Sequence, residues 1–347
     1  MATVFLNGRF LAQDDARISA FDAGLQHGVG LFETMLGGRH GGTPPLPARR
    51  HEGEEPAAWV FRLQEHIERL ISSARGLGLS DQLHAGPLAQ AVLRTVAESD
   101  LTRARIRLTI TGGDLNLLGR RHEGTPPLPA RRHEGKAGVQ PTILIVAQPA
   151  TEYPPDMFAR GITAAIADLR INPLDPFAGH KTINYWPRLR ELQAAAARHA
   201  GEALIFQATN HLAGGCVSNA FIVKEGRILT PIARGEEGGG AKQRNSETAR
   251  QGGPTPAHGV AVPSPVLPGI TRTWLIQWAA EQGIEVARRM ITIDDILGAD
   301  EVFLTNSSWG VLPVVRVEKE AIGRRGGGGV GPITTWARGA WLAATEP

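Results

Sequence analysis

The sequence predicts a chain of mixed α+β and α/β character in two domains. The first is a smaller α+β unit over residues 1–149, the second a β-rich unit over residues 158–347 with helices outside its strands, and a linker at 150–157 joins them. Three observations predict this. A length of 347 residues exceeds one domain of about 150. Periods of two and of 3.6 residues alternate in both halves. A proline pair follows Tyr153 between them, at Pro154 and Pro155.

Each element has its own signal. Val4 and Leu6, then Asn7-Gly8, then Phe10 and Leu11 predict a hairpin, because both turn residues tolerate positive φ. Ile67, Leu70, Ile71 and Ala74 fall on one helical face. Leu88, Val92, Leu93 and Val96 mark a second helix; Ile106, Leu108 and Ile110 alternate as a strand, and Ile143 to Val146 form another. The second half reads as a strand, a segment around Lys181, a helix from Trp186 to about His199, and strands at Leu204–Phe206 and Phe221–Val223. A helix after Thr271, a strand from Ile284 to Ile291, a short helix opened by Thr292 with Asp294 and Asp295 in its first turn, and a strand from Glu301 to Leu304 follow.

Four polar stretches interrupt this pattern. Arg39 to Gly53 recurs with one change as Arg121 to Gly135, Gly41 becoming Glu123, which reads as low-complexity sequence inserted near 39–57 and 115–139. The stretch near 235–262 and the glycine run from Gly323 to Gly331 complete the set, and all four are expected to be flexible surface loops. The Pro-Pro-Leu-Pro core of the repeat matches a polyproline ligand, but solvated insertion accounts for it better.

Composition narrows the function. With 42% hydrophobic and 20% charged residues and no apolar run near the roughly 20 needed to span a bilayer, a soluble cytoplasmic protein without membrane partners is expected. The start is followed by turn residues rather than by a cleavable signal. Cys216 stands alone, so no intrachain disulfide forms, and it reads as a small buried hydrophobe. The arginines are scattered, which speaks against nucleic acid, and the 11 histidines show no ligand spacing, so no metal is expected.

Five local patterns carry chemistry. They are Glu65-His66-Ile67-Glu68-Arg69-Leu70, His180-Lys181-Thr182-Ile183-Asn184-Tyr185-Trp186, Val217-Ser218-Asn219-Ala220-Phe221, Leu267-Pro268-Gly269-Ile270-Thr271-Arg272 and Thr305-Asn306-Ser307-Ser308. Leu267 to Arg272 leads into a helix, whose first amides, of Ile270 and Thr271, are placed to stabilise an anion. Arg69 lies four residues after Glu65 on a helix, where a surface ion pair is the ordinary role. Together these patterns resemble the class IV aminotransferases over nearly the whole chain apart from the insertions.

That resemblance implies a two-domain fold type IV enzyme with a β-barrel-like C-terminal domain, a homodimer, and an active site in the cleft between the domains. It implies that Lys181 holds pyridoxal 5'-phosphate as a Schiff base and shuttles a proton, which requires an amine, titrating near 10.4 when unperturbed, to be deprotonated or trapped as the imine. It further implies that Arg69, Ile270, Thr271 and Ser307 hold the phosphate, that Tyr185 contacts the phenolic oxygen and that Leu267 lies against the pyridine ring. The substrates implied are an amino acid, branched-chain or similar, and a 2-oxo acid.

The Lys-x-x-Asn spacing resembles the D-amino-acid aminotransferase and aminodeoxychorismate lyase branches, and Gly30-Leu31-Phe32-Glu33-Thr34 and Thr305-Asn306-Ser307 lean toward the lyases, which eliminate pyruvate to give p-aminobenzoate. Two departures stand out. Gly214 replaces the glutamate that the family pairs with the pyridine nitrogen, so a weaker electron sink is expected, and a catalytically weakened or non-catalytic binding relative is a further reading. Gly112-Gly113 replaces the substrate arginine of the D-amino-acid enzymes. Arg107 is the candidate contact for a substrate carboxylate, Arg105 sharing its strand face. Phe32, Trp186 and Trp309 are candidate pocket walls, although aromatic side chains are more often core.

Overall fold

The computed structural model describes residues 3–40, 58–115, 140–237, 263–323 and 329–346. The repeated Arg/Pro-rich segments, the Gly/Gln/Arg/Ser stretch and the glycine run fall largely outside the described residues. Two compact units emerge. One comprises Met1–Glu152 with Lys181–Tyr185 and Thr345–Pro347, the other Tyr153–His180 with Trp186–Ala344. Sequence order puts Lys181 in the second half, yet by packing its segment belongs to the first unit.

In the first unit the chain runs β1 (Thr3–Leu6), β2 (Arg9–Ala12), α1 (Ala23–His27), β3 (Gly30–Arg39), β4 (Ala58–Val60), α2 (Leu63–Gly76), α3 (Ala85–Ala97), β5 (Ala104–Thr111) and β6 (Ile143–Pro149). Six strands pair in the order β2-β1-β6-β5-β3-β4. Asn7 and Gly8 form the two-residue turn between Leu6 and Arg9 with φ of 48° and 88°, the conformation their residue types favour. Ile106, Leu108 and Ile110 of β5 are fully buried with Leu31 and Met35 of β3 against Ile67, Leu70 and Val92 of the helices. The intervening residues Phe32, Thr34, Arg105, Arg107 and Thr109 take the other sheet face, as a period of two requires.

In the second unit the order is α4 (Asp156–Ala159), β7 (Ile162–Ile171), α5 (Trp186–Ala197), β8 (Glu202–Gln207), β9 (Leu212–Gly215), β10 (Asn219–Lys224), β11 (Arg227–Thr230), α6 (Ile270–Glu281), β12 (Val286–Arg288), α7 (Ile293–Leu297), β13 (Glu301–Asn306), β14 (Gly310–Val317), β15 (Glu320–Ala321) and α8 (Pro332–Ala344). The sheet path is β12-β11-β10-β13-β14-β7-β8-β9, with β15 beside β14. Only residues 216–218 join the terminal strand β9 to β10, several strands away along that path. The sheet must curl to bring them together, which gives the barrel-like form expected.

The strand expected over Ile284–Ile291 is shorter, because β12 pairs with β11 only from Val286 to Arg288. Helix α5 stops at Ala197, two residues before His199 at φ 58°. The sequence pattern left α8 unassigned; Glu301 fixes its start by accepting from the N–H groups of Ile333 and Thr334 and from the Thr334 hydroxyl. Among the described residues no helix is long and apolar enough to cross a membrane.

Candidate active site

Lys181 is placed by backbone pairing. Its carbonyl accepts from Phe32 N–H at 2.9 Å, Ile183 N–H donates to Gly30 at 3.1 Å, and Leu31 bridges to Thr182, so residues 181–183 run antiparallel beside the start of β3. Gly30 permits this approach, since a Cβ there would lie 2.6 Å from the Ile110 carbonyl and 3.0 Å from Ile183. The ammonium of Lys181 stands 4.5 Å from the centroid of Phe32 and 5.3 Å from that of Tyr185, whose ring meets Phe32 edge-on at 5.1 Å.

Arg107 reaches the same ring, its guanidinium 3.8 Å from the Phe32 centroid, and donates to Thr109. Burial, and then the charge of Arg105, lower its pKa below the usual arginine value. No carboxylate of the described residues forms an ion pair with Lys181, Arg105 or Arg107, although Arg105 donates to Gln148. Two basic side chains therefore converge on one aromatic ring.

Arg69 occupies the other side of β3. Its Nε donates to Glu33 Oε1 at 2.9 Å and its Nη2 to Oε2 at 2.5 Å, while His66 Nδ1 lies 2.7 Å from Oε2. Glu33 and His66 are buried, and Arg69 is nearly so. Burial pushes Glu33 toward protonation, but the Arg69 charge and the His66 hydrogen bond outweigh it and carry its pKa down to about 2. Burial holds His66 neutral against the pull of Glu33, so Nδ1 carries the proton and Nε2 is bare, buried and without a partner among the described residues. Neither Glu33 nor His66 was a candidate from sequence. The available signal was an acid at the core-facing parity between Leu31 and Met35.

In the second unit, α6 begins after Gly269, an N-cap that offers no side chain. The amides of its first turn have no intrahelical acceptor, and the Thr271 hydroxyl is buried without a partner among the described residues. An orphaned hydroxyl beside first-turn amides fits a phosphate group. Arg272, by contrast, is structural: 1% exposed, it donates to Glu236, to the Pro231 carbonyl and to Thr230. Asn219 sets the entry to the helix. Its amide donates to the Leu267 carbonyl at 2.9 Å, and its Oδ1 would lie 1.9 Å from any Cβ at Gly269. Two of the sequence patterns thus form one contact, a role for Asn219 that spacing alone does not show.

Ser307 is half-buried on the turn after β13, where the Asn306 side chain accepts from the N–H groups of Ser308 and Trp309. Trp309 lies in the core of this unit, 7% exposed and edge-on to Tyr153. Trp186, by contrast, is 70% exposed. Gly214 has φ 147°, and a Cβ there would stand 2.7 Å from the Ser218 carbonyl, so the position that lacks the carboxylate also requires glycine.

The neighbouring turn is built on a different acid. Fully buried Glu202 accepts from the N–H groups of Ala203, Cys216 and Val217 and from the Ser218 hydroxyl, and burial raises its pKa despite these bonds. The Cys216 thiol is pushed up to about 12 by burial and by Glu202, so it is inert packing. No group of three or more His, Cys, Asp or Glu side chains among the described residues is arranged to hold a metal.

Comparison with known proteins places these features in context. The family model described as amino-transferase class IV matches residues 30–238 and 257–317. A Methanocaldococcus jannaschii protein, whose own assignment as a branched-chain-amino-acid aminotransferase is provisional, is 30% identical over 95% of this chain and 92% of its own length. The D-alanine aminotransferase of Staphylococcus haemolyticus is 26% identical over 96% and 94%. The solved branched-chain amino acid aminotransferase of Escherichia coli superposes with a TM-score of 0.73 at 24% identity, covering 98% of this chain and 93% of that one. The 4-amino-4-deoxychorismate lyase of Pseudomonas aeruginosa does so with a TM-score of 0.69 at 22% identity, covering 98% of both.

Proposed function

Because this chain belongs to the class IV aminotransferases, a family of pyridoxal-phosphate-dependent enzymes of fold type IV, we propose that it transfers an amino group between an amino acid, branched-chain or similar, and a 2-oxo acid, with Lys181 as the catalytic amine. When bound, pyridoxal phosphate supplies an aldehyde for that amine and a conjugated ring that accepts electrons from the substrate. The Thr271 hydroxyl, without a partner among the described residues, and the start of α6, which has no side-chain cap, support a fit to its phosphate.

Each residue has a distinct part. Lys181 Nζ binds the aldehyde and moves the proton at the substrate Cα. Arg69, the amides of Ile270 and Thr271, and Ser307 would hold the phosphate, and Leu267 and Tyr185 would hold the ring. Arg107 binds a substrate carboxylate over Phe32, and Phe32 excludes water on that side. The single observation that carries this reading is the convergence of Lys181 and Arg107, with no acidic partner among the described residues, on the Phe32 ring. An amino or oxo acid brings the anion that surface lacks. Trp309, placed within a core, is a weaker candidate for a substrate wall. We place the protein in the cytoplasm, and as a homodimer; large apolar side chains exposed at Ile18, Phe21, Leu25 and Trp186 support the second of these readings.

Gly214 favours a second reading, a protein that binds the cofactor with weakened or no turnover, because its backbone conformation excludes the missing carboxylate. Incubation with branched-chain amino acids and 2-oxoglutarate, and separately with aminodeoxychorismate, tests the proposal. Glutamate formation supports it. Release of p-aminobenzoate without an acceptor identifies a lyase instead, and no cofactor conversion with any common amino acid identifies the binding relative.

A further inference from the structure

We propose that Glu33 is a positioning residue: through a buried triad with His66 it fixes the Arg69 guanidinium in the orientation that receives the cofactor's phosphate. This rests on the reading of Arg69 given above.

Strand parity makes Glu33 conspicuous. Leu31, Glu33 and Met35 share the face of β3 that packs on α2, and Leu31 and Met35 are core residues there. An apolar side chain at 33 would continue that core, and buried ion pairs are often replaceable by apolar residues without loss of stability. The geometry of the acid is instead that of a clamp. Glu33 grips Arg69 side-on through Nε and Nη2, which fixes the guanidinium plane as a single contact does not.

His66 fixes the acid in turn. Its Nδ1–H and Arg69 Nη2 both donate to Oε2, so the carboxylate cannot rotate without breaking both bonds. The bare Nε2 of His66 is buried with no partner among the described residues, an unfavourable arrangement for a purely structural histidine. Arg69, one turn along α2 from His66, carries the only charge of the triad that reaches toward solvent, its side chain 11% exposed against 1% for the other two. Because burial keeps His66 neutral, the triad stays a single carboxylate–guanidinium pair near neutral pH.

The test compares binding of pyridoxal phosphate with that of pyridoxal, which lacks the phosphate, to the apoprotein of the wild type, Arg69→Met, Glu33→Gln and Glu33→Asp, with thermal unfolding of each apoprotein alongside. The preference for the phosphorylated form is expected to collapse in Arg69→Met. In Glu33→Gln it is expected to fall about tenfold while affinity for pyridoxal stays within about twofold. Should Glu33→Gln fail to fold, Glu33→Asp, which keeps the charge but withdraws it by one methylene, is expected to show the same selective loss. An undiminished preference in the folded Glu33 variants, with or without reduced stability, overturns the proposal. An undiminished preference in Arg69→Met overturns instead the reading of Arg69, and the proposal with it.

Discussion

Glu33 gives the acid response of the first unit a definite sign. Its folded pKa of about 2 lies below the ordinary 4.5, so its contribution is complete above the unfolded value and is lost as pH falls through the folded one. For a buried carboxylate this amounts to about 3 kcal/mol in order of magnitude. His66 acts in the same direction, because its lowered pKa makes the unfolded chain bind the proton first as pH drops below about 6.5. Urea unfolding at stepped pH is expected to show Glu33→Gln less stable than wild type at pH 7, with the gap closing below about pH 4.5. Arg107 answers to a different assay. Replacing it with Leu is expected to raise KM for the acid substrate about 10- to 100-fold, the value of a lost charge-assisted hydrogen bond, with the unfolding midpoint nearly unchanged.

Single residues also show where sequence stops being informative. Lys181 and Arg107 were candidates from the sequence because a familiar run of residues surrounds the first and strand parity places the second, although parity does not choose between Arg107 and Arg105. Asn219, Glu202 and His66 were not, because their roles depend on partners between 14 and 48 residues away: Leu267 for Asn219, Cys216 for Glu202 and Glu33 for His66. Such contacts leave no local period.

At the level of elements, termini hold most of the fine control. Helix α7 begins with the expected cap: Thr292 accepts from Asp295 N–H at 3.3 Å, and the Asp295 carboxylate accepts from Thr292 N–H at 2.9 Å. Helix α8 is capped instead by a distant carboxylate, Glu301, and Pro332 at its first position is its local start signal. Glu301→Gln is expected to lower stability by about 1–3 kcal/mol in denaturant unfolding without changing cofactor affinity. The start of α6 is expected to behave in the opposite way. In Gly269→Ala the added methyl displaces Asn219, so affinity for pyridoxal phosphate falls more than unfolding free energy, as fluorescence titration of the apoprotein measures.

Across the whole molecule, hydrophobic period marks elements such as α2, α3 and β5, which bury one face against a core, whereas β8, β10 and β13 are buried on both faces and read as short apolar runs without a period. Chain order misled about one segment: residues 181–185 lie in the second half of the sequence but join β3 through backbone hydrogen bonds, which side-chain patterns do not encode. The short β12 has the same origin, since strand length depends on its partner β11. The exposed apolar residues Ile18, Phe21, Leu25 and Trp186 lead to a prediction at this scale. Light scattering at micromolar concentration is expected to give twice the chain mass of 37.1 kDa, and the mass of one chain would contradict the homodimer.

The proposed chemistry turns on Lys181, and borohydride reduction of the freshly purified protein followed by peptide mapping tests it most directly. A single reduced pyridoxyl phosphate adduct is expected on Lys181, absent from Lys181→Ala. An adduct on another lysine, or none from protein that carries the bound cofactor, would contradict it.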